Sequence, residues 1–221
     1  MSGPAPRLLL LRHGEVASHR GDIPLTTAGR DHAVEAGRRL AASGLGAVRL
    51  LSGATRRASE TAMGVGEGLA SAGAAAAGPD VAFALRNPDL YLAGARVDMV
   101  SSADAFAAQV PWLSAGDVLA APFFADFLTA PDRIEFWLRA EDPPGDDAAT
   151  VAARIVAFAR SLADSGTGAD TVVAVTHSPV LRAVAVGLGL DDPGEPGYLT
   201  GYAVEVATDG TARAERYDPF V

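Results

Sequence analysis

Histidine and arginine side chains follow three short apolar segments of this sequence. The groups are Arg12-His13 after residues 8–11, Arg56-Arg57 after residues 48–52, and His177 after residues 171–176. In an open α/β sheet, ligands bind beyond the carboxyl ends of the strands, so these groups meet if their strands are neighbours. Two imidazoles and several guanidiniums around one point are unfavourable unless an anion compensates for their charge. The pattern therefore predicts a pocket for an anionic group such as a phosphoryl group.

The composition excludes several kinds of chemistry. The sequence contains no cysteine, which excludes disulfides, thiolate metal centres, iron–sulfur clusters and thiol nucleophiles. The net charge of −9 opposes general binding to nucleic acid or to anionic membranes. No stretch reaches the ~18 uncharged apolar residues of a membrane span. We therefore expect a soluble cytoplasmic protein whose small-molecule substrate enters a locally positive pocket.

The amino-terminal part of the chain has the βαβα pattern of a parallel sheet. Continuous apolar runs are typical of strands that are buried on both faces, and the first run is expected at the centre of the sheet. We predict strands at Leu8–Leu11, Val48–Ser52 and Val81–Ala84, a helix capped by Thr26 or Thr27 that ends near Gly44, a second helix capped by Thr55, and a frayed helix end with a loop over Ala70–Gly78. A chain of 221 residues suits one such α/β domain, spanning residues 1–221.

The carboxyl-terminal part continues this pattern after a segment of different character. Aromatic residues and prolines gather between about 91 and 140, which predicts a helical insertion whose aromatics mainly form its own small core. Beyond it we predict an amphipathic helix carrying Val151, Ile155, Phe158 and Leu162, a strand at Thr171–Thr176, a helix at Val180–Leu188 with Pro179 in its first turn, and a hairpin of Tyr202–Ala207 with Ala212–Tyr217.

Four motifs occur in an order and spacing that resemble the histidine phosphatase superfamily, branch 1. This group includes phosphoglycerate mutases and many phosphatases. The motifs are Leu10-Leu11-Arg12-His13-Gly14-Glu15, Leu25-Thr26-Thr27-Ala28-Gly29, Arg57-Ala58-Ser59-Glu60-Thr61-Ala62 and Val175-Thr176-His177. The resemblance implies a three-layer α/β/α sandwich with a mostly parallel central sheet, as in phosphoglycerate mutases, and a helical insertion.

The resemblance also implies roles for four residues. His13 would be the nucleophile that forms a phosphohistidine, while Arg12, Arg57 and His177 would hold the transferring phosphoryl group. Neutral imidazole, with an ordinary pKa of ~6.5, is a ready nucleophile at neutral pH, and guanidinium pairs well with phosphoryl oxygens. Arg57 is preferred to Arg56 because the Ala58–Ala62 run aligns it with the phosphate-binding arginine of the family.

Two further site assignments leave alternatives open. His19 lies on the loop where phosphoglycerate mutases have an asparagine near the phosphate, and it is either a phosphate contact or a loop histidine. A leaving alkoxide needs a proton, which the family supplies from an acid after the third strand. Asp89 is the predicted proton donor, or else a turn residue beside Pro88. The other candidate acids are Asp98, Asp104 and Glu135.

These motifs predict a phosphatase that hydrolyses a phosphomonoester. A phosphoglycerate mutase is the alternative with the same chemistry, although residues 16–20 lack the Trp-Asn pair usual there. A catalytically idle domain that binds a phosphorylated ligand is the alternative from another class. Neither a cofactor nor a metal ion is implied, and a homodimer is compatible with the sequence. The natural substrate is not readable from the motifs.

Overall fold

A central sheet organises the fold in the computed structural model, which describes residues 6–18, 21–164, 168–207 and 209–221. The strands are β1 (Arg7–Arg12), β2 (Val48–Ser52), β3 (Ala76–Val81), β4 (Leu90–Leu92), β5 (Ala95–Val97), β6 (Thr171–Thr176), β7 (Gly201–Val206) and β8 (Ala212–Tyr217). Within the described residues, six strands form one sheet in the order β3-β2-β6-β1-β7-β8. Strands β1, β2, β3 and β6 run parallel, and β7 and β8 are antiparallel additions.

The helices lie on both faces of this sheet. They are α1 (Thr27–Ala42), α2 (Arg56–Ser71), α3 (Ala103–Ala107), α4 (Ala115–Ala120), α5 (Pro122–Thr129), α6 (Arg133–Arg139), α7 (Ala148–Asp164) and α8 (Ser178–Gly187). Alternate leucines of β1 serve the two faces, because side chains alternate along a strand. Leu9 and Leu11 belong to the core that includes α1 and α2, while Leu8 and Leu10 pack with α7, α8 and the insertion. This arrangement is the three-layer sandwich that the sequence predicts.

Helices α1 and α2 approach each other closely on one face. A Cβ atom on Gly37 of α1 would overlap the carbonyl oxygen of Val65 in α2, so glycine is required for this packing distance. Thr26 caps α1 as predicted, since its side chain accepts a hydrogen bond from the Gly29 amide. Thr55 occupies the N-cap position of α2 but makes no side-chain capping bond there. The close helix pair fixes the start of α2, where Arg57 lies.

The third strand lies earlier in the chain than the sequence predicts. Residues 76–81 form the edge strand β3, whereas Phe83–Leu85 form a short 3₁₀ turn. The helix end at Ser71 and the loop at residues 72–75 agree with the prediction for Ala70–Gly78, but residues 76–78 belong to the strand, and the strand predicted at Val81–Ala84 was wrong. The strand is mostly exposed, so its pairing with β2 leaves little hydrophobic pattern in the sequence.

The insertion also begins differently from its prediction. Leu90–Leu92 and Ala95–Val97 pair as a two-stranded hairpin, and the helices α3 to α6 follow. The final hairpin, in contrast, matches its prediction closely, with Gly201 paired to Tyr217 and Val206 paired to Ala212. Helices α7 and α8 also lie where the sequence places them.

Candidate active site

A cavity of about 540 Å³ opens at the carboxyl ends of the parallel strands. Its lining combines residues that follow the strands with residues of the insertion. The strand-end residues are Arg12, His13, Arg57 and His177, and the opposite contributors include Asn87, Met99, Phe127, Asp132, Arg133 and Ile134. The structure therefore brings together the two histidines and two arginines that the sequence singles out. Burial and volume both suit a small organic ligand.

The two histidines meet because their strands are neighbours in register. Arg12 at the end of β1 lies opposite Thr176 at the end of β6, so the next residues, His13 and His177, stand side by side. Their ring centroids are 5.4 Å apart with the rings steeply inclined to each other. Both histidines are almost fully buried. A further contact joins Thr55 Oγ1 and His177 Nε2 at 3.4 Å, which explains why Thr55 does not cap α2.

The hydrogen bonds of His13 define which ring nitrogen can react. Its Nδ1 lies 2.7 Å from the carbonyl oxygen of Gly14, which can only accept, so Nδ1 carries the proton. In a neutral imidazole the lone pair is then on Nε2. The backbone is held as well, because His13 N donates to Thr176 O and Gly14 N donates to Thr61 Oγ1 at 2.8 Å. The result is a positioned nitrogen nucleophile.

Arg12 is buried in the cavity wall and paired with a glutamate. Its Nη2 lies 2.5 Å from Glu195 Oε1, and its Nη1 donates to the carbonyl oxygen of Pro196. Its guanidinium lies 4.3 Å above the Tyr198 ring, a cation–π contact. Ser178 donates to the other oxygen of Glu195 at 2.6 Å. A carboxylate thus occupies part of the guanidinium surface that an anionic ligand would need.

Arg57 is the better placed of the two arginines at the start of α2. Its side chain is only 12% exposed, and its nearest carboxylate, Asp22, is 3.9 Å away. Burial lowers the pKa of Arg57, while the charges of Asp22 and Asp98 partly offset this effect. Arg56 is instead 57% exposed and paired with Glu60 at 2.7 Å, outside the cavity lining. The geometry favours Arg57 for binding an anion in the cavity.

Asp89 is poorly placed to donate a proton in the cavity. It is not among the lining residues, and its carboxylate accepts from Arg86 at 2.6 Å and 2.9 Å and also from Arg96. Burial alone would raise the pKa of Asp89, but the hydrogen bonds from the two arginines outweigh it, and the pKa is lowered. A carboxylate held ionised by two guanidiniums is a weak general acid. The geometry therefore argues against the role that the sequence assigned to Asp89.

The other candidate acids also lie outside the cavity lining. Asp98 pairs with Arg96 at 3.1 Å, Glu135 pairs with Arg139 at 2.6 Å, and Asp104 is exposed in the first turn of α3. His19, the predicted phosphate contact, lies outside the described residues. Among the described residues, the carboxylates that line the cavity are Asp132 and Glu195. Both of these carboxylates are ion-paired, with Arg182 and Arg12 respectively.

Sequence reasoning did not single out the polar lining residues Asn87, Asp132, Arg133 and Glu195. Asn87 is two residues from the predicted acid, but an amide gives no signal of catalysis in a sequence. Its buried Oδ1 makes no hydrogen bond within the described part of the chain. Glu195 lies on an irregular loop and Arg133 starts a short helix of the insertion, so neither follows a strand signal.

No cluster of acidic residues and histidines in the described segments has an arrangement that could hold a metal ion. None of the helices there is both long enough and apolar enough to cross a membrane.

Comparisons with known proteins agree with this geometry. A family model described as Histidine phosphatase superfamily (branch 1) matches residues 8–74, which include Arg12, His13 and Arg57. A mycobacterial glucosyl-3-phosphoglycerate phosphatase is similar in structure, with a TM-score of 0.62, 22% sequence identity, and coverage of 97% of this chain and 98% of that chain. A protein called mycobacterial hydrolase 1 has a TM-score of 0.61 at 22% identity, covering 96% and 97% of the two chains.

A phosphoglycerate mutase from Bacillus anthracis is similar as well, with a TM-score of 0.57 at 17% identity, covering 98% of this chain and 94% of that chain. At these identities the likeness establishes the fold. No curated protein sequence matches the chain.

Proposed function

We propose that this chain, whose residues 8–74 match the model of the Histidine phosphatase superfamily (branch 1), hydrolyses a phosphomonoester through a phosphohistidine on His13. The observation that carries the proposal is the position of His13. Its Nδ1 donates a hydrogen bond to Gly14 O, and its ring lies beside His177 in the cavity that Arg12 and Arg57 also line. A nucleophile surrounded by cationic groups suits attack on an anionic phosphoryl group.

In the first step, His13 Nε2 attacks phosphorus while the bond from phosphorus to the ester oxygen breaks. Arg12, Arg57 and His177 hold the nonbridging oxygens, whose negative charge they balance through the transition state. The alkoxide leaves and takes up a proton. In the second step, water attacks the phosphohistidine, His13 leaves as the restored imidazole, and inorganic phosphate is released.

We propose that water supplies the proton that the leaving alkoxide takes up. The lining carboxylates Asp132 and Glu195 are both ion-paired, and Asp89 is paired outside the cavity. An ester whose leaving group is a weak base needs little protonation. We therefore expect turnover to depend steeply on the pKa of the leaving alcohol.

The ion pairing of both lining carboxylates favours a second candidate function. This function is an idle domain that binds a phosphorylated ligand without turning it over. Phosphate binding needs the arginines and His177 but no proton donor. The phosphoglycerate mutase alternative stays a prediction. We further propose a small-molecule substrate and a cytoplasmic location, which suit a net charge of −9 and a cavity of this size. The homodimer stays a prediction.

Hydrolysis of p-nitrophenyl phosphate tests the proposal, because its leaving group scarcely needs an acid. We expect turnover by the native protein, an acid-labile phosphoenzyme, and loss of both in His13→Ala with an unchanged melting temperature. His32→Ala is the matched control, since that histidine stacks on Phe220 at 4.4 Å and does not line the cavity. Undiminished turnover by His13→Ala excludes the mechanism. Phosphate binding without turnover by the native protein favours the idle domain.

A further inference from the structure

The insertion places a third arginine, Arg133, in the wall of the cavity. It is the first residue of α6 and lies beside the apolar lining residues Phe127 and Ile134. We propose that Arg133 binds a second anionic group, so that the substrate is a phosphomonoester whose organic part ends in a carboxylate or another phosphoryl group. This inference rests on the proposed function, because it assumes that the phosphoryl group itself lies at His13.

The pairing of the three cavity arginines distinguishes Arg133. Arg12 is paired with Glu195 at 2.5 Å, and Arg57 has Asp22 at 3.9 Å. Arg133 forms no salt bridge in the described part of the chain, and its buried Nε makes no hydrogen bond there. An unpaired guanidinium facing a cavity is costly, and an anionic group of the ligand would remove that cost.

The neighbouring residues hold the backbone of Arg133 in a fixed position. Asp132, the N-cap of α6, accepts hydrogen bonds from the amides of Ile134 and Glu135 at 2.9 Å. Asp132 also pairs at 2.9 Å with Arg182, which is 1% exposed and belongs to α8. The backbone of Arg133 is thus anchored to the buried helix beside the sheet. Because the backbone is anchored, only the Arg133 side chain must be ordered when the ligand arrives.

The lining between the insertion and the sheet indicates the rest of the ligand. Met99, Val100, Phe127, Pro131 and Ile134 give this part of the cavity an apolar wall. A carbon chain suits such a wall, while the charged groups at its two ends face guanidiniums. The whole-protein charge of −9 repels anions, so a doubly anionic ligand needs both of these local cationic groups.

Three compounds with the same three-carbon chain test the inference: propyl phosphate, 3-phosphooxypropanoate and propane-1,3-diol bisphosphate. They end in a methyl group, a carboxylate and a second phosphoryl group. Each is measured as a competitive inhibitor of p-nitrophenyl phosphate hydrolysis. We expect at least one anionic compound to inhibit about tenfold more tightly than propyl phosphate, and the preferred one identifies the end group.

Arg133→Ala should reduce this preference to less than about threefold. Arg133→Lys should retain part of it, because a point charge remains. Arg139→Ala is the matched control on the same helix, since Arg139 is 78% exposed and paired with Glu135, and it should keep the full preference. Equal inhibition by all three compounds, or an unchanged preference in Arg133→Ala, overturns the subsite.

A failure of the proposed function would be visible separately. If the native protein does not hydrolyse p-nitrophenyl phosphate, hydrolysis is excluded, and calorimetric binding of the same three compounds then measures the preference directly. Tighter binding of the anionic compounds that is lost in Arg133→Ala supports the subsite in that case. Equal binding of the three compounds rejects it.

Discussion

The two sides of the cavity are built in different ways. The sheet side carries Arg12 as the last residue of the buried strand β1. His13 follows β1 directly, and His177 follows the buried strand β6. The insertion side, residues 90–140, has a small hairpin and four short helices packed around aromatic side chains. The pairing of the strands fixes the positions of charged groups at strand ends. Loops and short helices vary more, and their variation suits different substrates. The proposed chemistry therefore lies on the sheet side and the proposed selectivity on the insertion side.

The aromatic residues of the insertion mostly serve its own stability, as the sequence predicts. Phe106 packs edge-to-face on Phe124, with ring centroids 5.0 Å apart, and on Phe127 at 6.0 Å. Trp137 is completely buried, and its Nε1 donates to the carbonyl oxygen of Asp146 at 2.9 Å. Phe127 also lines the cavity, so it links the insertion core to the ligand. Trp112, in contrast, is exposed.

Removing Arg57 should have the largest effect on the sheet side. We expect Arg57→Ala to lower kcat/KM for p-nitrophenyl phosphate by about 10²–10³-fold, because a buried donor to the developing charge is lost. Arg56→Ala is the matched control on the same turn of α2. Its exposed pair with Glu60 is worth little, and activity should change less than about twofold. Steady-state kinetics of both variants decide the matter; equal losses would mean that the two arginines share the role.

The contrast between Arg57 and Arg133 shows which features the sequence could predict. Continuous apolar runs predicted β1, β2 and β6. The order and spacing of the four motifs then predicted that the two histidines and Arg57 lie in one site. The exposed strand β3 had no such run, and its position was wrong by several residues. Arg133 and Glu195 depend on contacts between segments far apart in the chain, and no local pattern encodes those contacts. Asp89 lay near the right region, but its pairing with Arg86 and Arg96 was invisible in the sequence.

Arg182 joins the two sides, and breaking this link tests whether they are separable. Its buried guanidinium pairs with Asp132 of the insertion at 2.9 Å and with Asp192 at 2.5 Å. Arg182→Met would leave both carboxylates without their partner, and we expect a loss of about 2–4 kcal/mol in the free energy of unfolding. Urea titration measures it. Arg213→Ala, which breaks an exposed pair with Glu205, should cost less than about 1 kcal/mol.

The same variant has a pH signature. The hydrogen bond from Arg182 lowers the pKa of Asp192; for Asp132, burial raises the pKa, but hydrogen bonding outweighs it and the pKa is lowered. A carboxyl whose pKa is lower in the folded state stabilises the protein above its unfolded value of ~3.9, and this stability is lost as the pH falls through the folded value. Arg182→Met should therefore lose less stability than the native protein as the pH falls below about 4. Parallel pH curves for the two proteins would show that these pairs contribute nothing.

Exchanging an amide and a carboxyl near the cavity tests where a proton donor must stand. Asn87→Asp places an acid in the cavity wall, and we expect the rate on alkyl phosphates to rise roughly tenfold relative to aryl phosphates, since general acids contribute most to poor leaving groups. Asp89→Asn is the comparison variant and should change both rates alike, because Asp89 lies outside the lining. A selective loss on alkyl phosphates in Asp89→Asn would restore Asp89 as the donor.

The smallest expected effect concerns Glu195, which lies on the loop between α8 and β7. Its carboxylate pairs with Arg12 and accepts from Ser178, so a phosphoryl group must compete with it for the guanidinium. Glu195→Gln removes the negative charge but can keep the Ser178 bond. We expect inorganic phosphate to inhibit this variant roughly two- to fivefold more tightly, because Glu195 is 54% exposed and exposed ion pairs are worth ~0.2–1 kcal/mol.

Glu205→Gln removes a charge of the same sign at an exposed pair on β7, outside the cavity lining, and controls for the change in net charge. It should leave phosphate inhibition unchanged. Weaker inhibition of Glu195→Gln would mean that Glu195 holds Arg12 in its binding position rather than competing with the ligand. The orientation of Arg12, the last residue of the buried strand β1, would then depend on the loop at residues 191–200. This loop lies outside the sheet.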